Sequence, residues 1–168
     1  YLAKRASNAG KKVTIVSSDK DFFQLIDNNI EVYAPVKKKT FTIENIKEEI
    51  GVLPQNFNIV KALLGDNSDN LPGVKGLGIK TILSEWKSFT YDPNASLQDV
   101  WDHCETQMEQ DKPKKIFAKI LHNFDRVVDN FAMMDLHQTQ LDEKEIKTVE
   151  DIFKAKIPDL QTGVFLSL

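Results

Sequence analysis

Residues 65–78 read GDNSDNLPGVKGLG, from Gly65 to Gly78, and they divide the chain into two kinds of sequence. Before them, β-branched runs alternate with short helical patterns; after them, every strong periodicity is helical. Within the stretch, Val74-Lys75-Gly76-Leu77-Gly78 has the hydrophobic-x-Gly-hydrophobic-Gly spacing of a hairpin between two helices. Glycines let a backbone come close to a phosphate, and the helix that follows offers free N–H groups and a positive dipole end. Such a turn grips the nucleic-acid backbone and does not read bases. Lys75, Lys80 and Lys87 add positive charge around it. Asp66 and Asp69 directly precede the glycines. Three apart, they share a face if the segment is a helical turn; equally, Asp and Asn here suit a turn in which side chains bond their own backbone.

Working upstream, Leu2, Ala3 and Ala6 mark one side of a helix that Gly10 stops. Val13-Thr14-Ile15-Val16 is a β-branched run without alternation, the pattern of a strand covered on both faces in a parallel sheet. A second helix is expected from about Asp21 to Asp27, then a strand at Ile30–Ala34 and a turn with a return strand over residues 36–41. Thr42 is the expected cap of a short helix ending at Gly51. Ser17-Ser18-Asp19-Lys20-Asp21 lies where the first strand ends, the side of a parallel sheet on which ligands bind. Asp19 and Asp21, two apart on an extended segment, can aim both carboxylates the same way and suit a hard cation. The plainer reading makes Asp19 a helix N-cap.

Downstream, Pro54 starts a helix through Leu64, and another runs from Ile79 to about Trp86. No strand is expected after Gly51. Ile116, Phe117, Ile120, Leu121, Phe124, Val127, Val128 and Phe131 form one apolar stripe at helical spacing, with Lys115, Lys119 and Arg126 off it.

The balance of 22 Lys+Arg against 25 Asp+Glu in 168 residues gives a net charge of −3, so any binding to a polyanion must come from local arrangement. A single cysteine, Cys104, excludes an internal disulfide, argues against a thiolate metal cluster and fits a reducing compartment. No apolar run approaches the ~18 residues of a membrane span. The expectation is a soluble cytoplasmic protein and, since the first residue is Tyr1, a fragment or processed chain.

The order SSDKDFFQLI, a β-hairpin, then ALLGDNSDNLPGVKGLGIKT resembles the 5′ nuclease family: flap endonucleases, phage 5′ exonucleases including phage RNase H, and the 5′ nuclease domain of bacterial DNA polymerase I. The match is dense from about Leu2 to Thr81 and weak afterwards. The resemblance implies an α/β fold. Residues 1–52 would be the C-terminal part of a PIN-like, resolvase-like parallel-sheet nuclease domain, and 53–168 a helical domain with a helix-hairpin-helix at about 58–88. It also implies a phosphodiesterase using two metal ions, with Asp19, Asp21 and Asp69 as catalytic ligands and Asp66 in the same acidic group. Magnesium is the implied ion, with manganese as a substitute. Gly73, Lys75, Gly76, Gly78 and Lys80 would hold the duplex backbone, with a potassium ion on hairpin carbonyls. Expected partners are branched or flapped DNA, RNA–DNA hybrid and replication proteins such as a clamp or polymerase, for a monomer in a bacterial or phage-infected cell.

The chain departs from the family at Ile82, where many members carry a small residue, and this residue is expected to widen the separation of the hairpin helices. The family's remaining acids, including a Glu-Ala-Asp-Asp cluster, would precede Tyr1. The chain is therefore expected to hold half a metal site and to be inactive alone. A non-catalytic helix-hairpin-helix module is the alternative from another class, and would not need Asp19 or Asp21. An RNase of the related PIN type would share the acidic sheet edge but not ordinarily the hairpin. Of the other candidates, Lys37-Lys38-Lys39 reads as a solvated edge turn, and His103-Cys104 lacks the further ligands of a zinc site. His122 and His137 read as surface or helix-face residues. Gln161-Thr162-Gly163-Val164-Phe165 faintly resembles a clamp-binding peptide.

Overall fold

The structure is a computed structural model and describes residues 1–138 and 141–154. Helix α1 (Leu2–Asn8) ends before Gly10, whose φ of +71° supplies the left-handed stop that the sequence predicts. Strands β1 (Val13–Val16), β2 (Ile30–Ala34) and β3 (Lys39–Phe41) form one sheet in the order β1-β2-β3. The first pair is parallel, with Val13 opposite Ile30, and the second antiparallel, with Val32 opposite Phe41.

β1 is not covered on both faces. Among the described residues it pairs only with β2, and its burial alternates, leaving Val16 66% exposed. A run of β-branched residues records strand propensity, and edge and central strands share that propensity. β2 is the buried strand, with Ile30, Val32 and Ala34 inside.

The expected helix after β1 is a tight 3-10 turn, Lys20–Leu25, in which Phe23, Gln24 and Leu25 are all buried. Gln24, 1% exposed, donates to the Met134 carbonyl at 2.9 Å and accepts from the Leu136 N–H at 3.0 Å. Buried polar atoms at that depth require such partners. Helix α2 (Ile46–Ile50) starts after Asn45 rather than at Thr42; Asn45 Oδ1 accepts from the Thr42 N–H, closing the turn that leads in, and Gly51 at φ +80° closes the other end.

A 3-10 turn at Pro54–Asn56 runs into α3 (Phe57–Leu64). The absence of strands after Gly51 does not hold. β4 (Gly65–Asp66) pairs antiparallel with β5 (Leu71–Pro72), Asp66 opposite Leu71. Helix α4 (Ile79–Glu85) and a 3-10 turn at Lys87–Thr90 follow. Ser96 and Asp99 form a reciprocal capping box that starts α5 (Leu97–Met108).

The single stripe at 116–131 is two helices, α6 (Lys115–His122) and α7 (Phe124–Met134). Asn123 breaks them, turning its Nδ2 back onto the Lys119 carbonyl at 2.6 Å. The apolar spacing continues across the break, so periodicity alone does not reveal it.

Residues 1–137 form one compact unit. Its core joins sheet residues Val32 and Phe41 to Phe23, Ile59, Leu63, Ile82, Phe117 and Val127 in one cluster, with the Phe23 and Phe41 rings 4.7 Å apart. Truncating a buried ring such as Phe41 would cost about 3–5 kcal/mol. Within residues 138–168, helix α8 (Glu143–Lys154) is preceded by reciprocal bonds between Asp142 and Glu145. The clamp-like peptide at Gln161–Phe165 lies outside the described residues. No helix among the described residues is long and apolar enough to cross a membrane.

Candidate functional site

β1 runs out at Val16 into Ser17-Ser18-Asp19, and the acidic pair follows as a turn rather than as an extended segment. Asp19 Oδ1 accepts from the Asp21 N–H at 2.9 Å, which makes Asp19 the N-cap of the 3-10 turn. Asp21 lies in its first turn and points at α3. There Lys61, 9% exposed, bonds the Asp21 carboxylate and stands 2.8 Å from Asp66.

Asp66 ends β4. Its Oδ1 also accepts from the Ser68 N–H at 2.9 Å and from the Ser68 hydroxyl. The Lys61 hydrogen bond, followed by the Ser68 hydroxyl, holds the Asp66 carboxyl far below the usual carboxylate range despite opposition from burial. Burial works against the Lys61 charge, but the hydrogen bonds to Asp21 and Asp66 win and raise its pKa.

The β4–β5 hairpin, not a helical turn, brings in Asp69. Carboxylate oxygens of Asp21, Asp66 and Asp69 all lie within 4.8 Å of one another. Three carboxylates against one ammonium leave an excess of negative charge around oxygen donors, which suits a hard divalent cation. Asp19 stands outside this trio but lines the same groove, together with Ser18, Lys61 and Asp66.

Close backbone contacts set the spacing between acids and glycine turn. A Cβ on Gly65 would fall 2.2 Å from the Gly73 nitrogen, and one on Gly73 2.1 Å from the Leu64 carbonyl. No side chain fits where β4 and β5 cross. The Val74 N–H then donates to Leu63 O at 2.9 Å and the Leu77 N–H to Val74 O at 3.0 Å, folding the turn back on α3. Gly76 carries φ +88°, and Gly78 starts α4 in extended conformation with nothing within 4 Å of a Cβ. Val74 is buried, whereas Lys75, Gly76, Gly78 and Lys80 face solvent. Ile82 is fully buried in the core.

Four residues matter here that the sequence reading passed over or placed on the solvent side. Lys61 stands in the apolar run Phe57–Leu64, and that position was its only signal. Asn130, 3% exposed, donates to Ala62 O at 3.2 Å and Pro72 O at 3.1 Å. Arg126 reaches Gly73 O at 3.2 Å, and Lys119 reaches Lys75 O at 3.3 Å.

The remaining candidates have local partners. Lys37 pairs with Glu49 at 2.5 Å, and Lys39 sits 4.8 Å from the Phe41 ring centre. His103 contacts Glu85 and the Trp86 ring; Cys104 is buried and its thiol pushed up to about 12 by burial. His122 and His137 are exposed, as expected of surface residues.

No family model matches the chain. It is 34% identical over 161 residues to a 5'-3' exonuclease of Aquifex aeolicus, covering 95% of this chain and 50% of that protein. A 5'-3' exonuclease of Buchnera aphidicola from Schizaphis graminum is 46% identical over 89 residues, 53% of this chain and 31% of the relative. The DNA polymerase I of Thermus filiformis is 42% identical over 90 residues, 52% of this chain and 11% of the polymerase. The chain thus spans half or less of the length of these relatives.

Among solved structures, bacteriophage T5 flap endonuclease in a pseudo-enzyme–product complex with DNA and metal ions superposes with a TM-score of 0.67 at 20% identity, covering 81% of this chain and 47% of that one. The zinc-bound T5 5'-exonuclease gives 0.65 at 21%. In sequence this chain is similar to 5'-3' exonucleases and to a stretch of DNA polymerase I, and in fold to T5 flap endonuclease.

Proposed function

We propose that this chain is the C-terminal portion of a structure-specific 5′ nuclease that hydrolyses phosphodiesters of flapped or branched DNA and of RNA primers paired to DNA. The observation that carries this reading is the gathering of Asp21, Asp66 and Asp69 from two distant segments, directly beside an exposed glycine turn. Asp21, Asp66 and Asp69, with Asp19 on the same groove, would hold divalent ions. The all-oxygen donor set fits magnesium, with manganese as a substitute. When bound, two such ions would supply water activation and charge stabilisation at the scissile phosphate.

The chain's own residues have three tasks. The carboxylates fix the cation positions and, without cations, repel phosphate. Lys61 balances Asp21 and Asp66 and keeps Asp66 ionised. The turn over Gly73, Lys75, Gly76, Gly78 and Lys80 takes the duplex backbone away from the cut, at a distance set by the Gly65–Gly73 crossing. Residues 1–52 are proposed as part of the nuclease domain and 53–168 as its helical partner, with the helix-hairpin-helix at about 58–88. Spanning half of the Aquifex relative, the chain is proposed to supply part of the acidic set, binding DNA without cutting it. We place it in the cytoplasm as a monomer, working beside a clamp or polymerase.

The test uses the complete parent protein and its Asp69→Asn variant on a labelled flap substrate with magnesium. The variant should lose cleavage while binding persists or strengthens, because one carboxylate facing phosphate is neutralised. Cleavage at the parent rate would remove Asp69 from the metal site. A parent that binds but never cleaves would leave a DNA-binding module instead.

A further inference from the structure

Four successive carbonyls of the turn already accept from the protein. Asn130 Nδ2 is 3.1 Å from Pro72 O, Arg126 Nη2 3.2 Å from Gly73 O, the Leu77 N–H 3.0 Å from Val74 O, and Lys119 Nζ 3.3 Å from Lys75 O. Two of these donors carry a full positive charge. They come from α6 and α7, far along the chain from the turn. The family resemblance implies a potassium ion on hairpin carbonyls, and such an ion needs several carbonyl oxygens turned toward it. Each oxygen keeps a second lone pair, but a guanidinium on Gly73 O and an ammonium on Lys75 O repel a further cation, so the charge already on the turn does not fit that requirement.

Lys119 does more than satisfy a carbonyl. Its Nζ stands 3.6 Å from where a Cβ on Gly76 would lie, and Gly76 is exposed. The ammonium therefore sits beside the residue at which a phosphate can come nearest the backbone. An ammonium has three N–H donors, and the Lys75 bond uses one. Arg126 is half-buried and braced by Asn123 Oδ1 at 2.7 Å. It holds the turn in place, and Lys119 faces outward.

We propose that the turn carries its cation as a side chain. Lys119 occupies the role of a bound monovalent ion and adds a phosphate contact from α6, while Arg126 acts as a positioning residue on Gly73. A tethered cation is present at every salt composition and needs no ion to be captured and ordered when DNA arrives. Duplex binding should then depend on ionic strength but not on which monovalent cation supplies it. This rests on the reading that the turn binds duplex backbone.

The experiment is a fluorescence-anisotropy titration of the 168-residue chain against a short labelled DNA duplex, with divalent ions chelated, in KCl, NaCl and LiCl of equal ionic strength. Affinity should agree within about twofold among the three salts. Lys119→Met keeps the aliphatic stem and removes the charge. It should weaken binding about fivefold and lower the slope of log K against log salt by about one, the signature of one lost phosphate contact. Lys119→Arg should restore both, and equal melting temperatures of the parent and Lys119→Met would exclude misfolding. Binding severalfold tighter in KCl than in NaCl, or a Lys119→Met salt slope equal to the parent's, would overturn the proposal and leave the hairpin reading intact. No anisotropy change with the parent chain in any salt would sink both.

Discussion

Lys61 Nζ stands 2.8 Å from the Asp66 carboxylate and bonds Asp21 as well, so one ammonium bridges two acids from segments 45 residues apart. Its side chain is 11% exposed, and theirs are each 20% exposed, so water screens the triad only partly. A divalent cation bound at this cluster would compete with the ammonium for the same carboxylates.

Replacing that ammonium should therefore transfer the charge balance to the ion. Lys61→Met leaves like charges facing each other and should cost about 1–3 kcal/mol in the metal-free chain. Added Mn2+ should then raise the melting temperature by several degrees more in the variant than in the parent. Melting curves with and without Mn2+ read both effects. An equal response of the two proteins would show that Lys61 is not the counter-ion of the site.

The glycines should separate into those the fold needs and those the ligand needs. Gly73→Ala puts a methyl 2.1 Å from the Leu64 carbonyl, so backbone must move and the loss should be large, about 3 kcal/mol or more. Gly76→Ala has room but a φ of +88°, which costs about 1 kcal/mol. Gly78→Ala has neither obstacle and should melt like the parent. If close approach of phosphate is what Gly78 serves, its alanine variant should still lose duplex affinity. Unaltered affinity would take Gly78 out of the interface.

What could be read from the sequence was what a residue reveals locally. Gly10, Gly51 and Gly76 each take a positive φ that few other residues adopt, and the helix stops and the turn follow from that alone. Asp66 and Asp69 stood out because acids beside a glycine turn are visible at short range, and Asp21 because it follows the end of the first strand two residues after Asp19. Lys61 was hidden, since a lone lysine in FNIVKALL looks like the polar side of a helix until its partners on other segments are known. Arg126 and Lys119 were hidden for the same reason, being off the apolar stripe yet aimed at the turn. β1 misled because its β-branched composition is compatible with an edge position, and the α6–α7 break because it depends on one side chain, Asn123, bonding backward.

A pH effect follows from Glu85, which joins α4 to its neighbours through Lys114 at 2.6 Å and His103 at 3.4 Å. The Lys114 hydrogen bond, with a smaller one from His103, holds the carboxyl below its usual 4.5 against burial. A folded value below the unfolded one means the carboxylate stabilises the fold above pH 4.5, and that stabilisation is lost as pH falls through the folded value. Lys114 is 67% exposed, so the amount is modest, about 0.5–1 kcal/mol. Glu85→Gln should melt lower than the parent near neutral pH, with the gap closing toward pH ~3. A gap that is constant across that range would mean Glu85 acts by packing.

Asn130 tests whether the acidic site and the turn are mechanically one unit. Its Nδ2 donates to Ala62 O on α3 and to Pro72 O on β5, so one buried amide ties the helix carrying Lys61 to the strand opposite Asp66. Asn130→Leu preserves volume approximately and removes both donors. Two buried carbonyls then lose a partner, and the loss should be about 1–3 kcal/mol in a urea melt. The second consequence separates a local defect from a coupled one. If β5 is released from α3, the register that sets Asp66 against Leu71 loosens, the carboxylate oxygens spread, and the Mn2+-induced rise in melting temperature should shrink together with duplex affinity. Asn130→Asp should be worse still, because a carboxylate facing two carbonyl oxygens cannot donate and repels both. A variant that loses stability but retains the full Mn2+ response and duplex affinity would show that acids and turn are positioned independently, and that the Gly65–Gly73 crossing alone sets their distance.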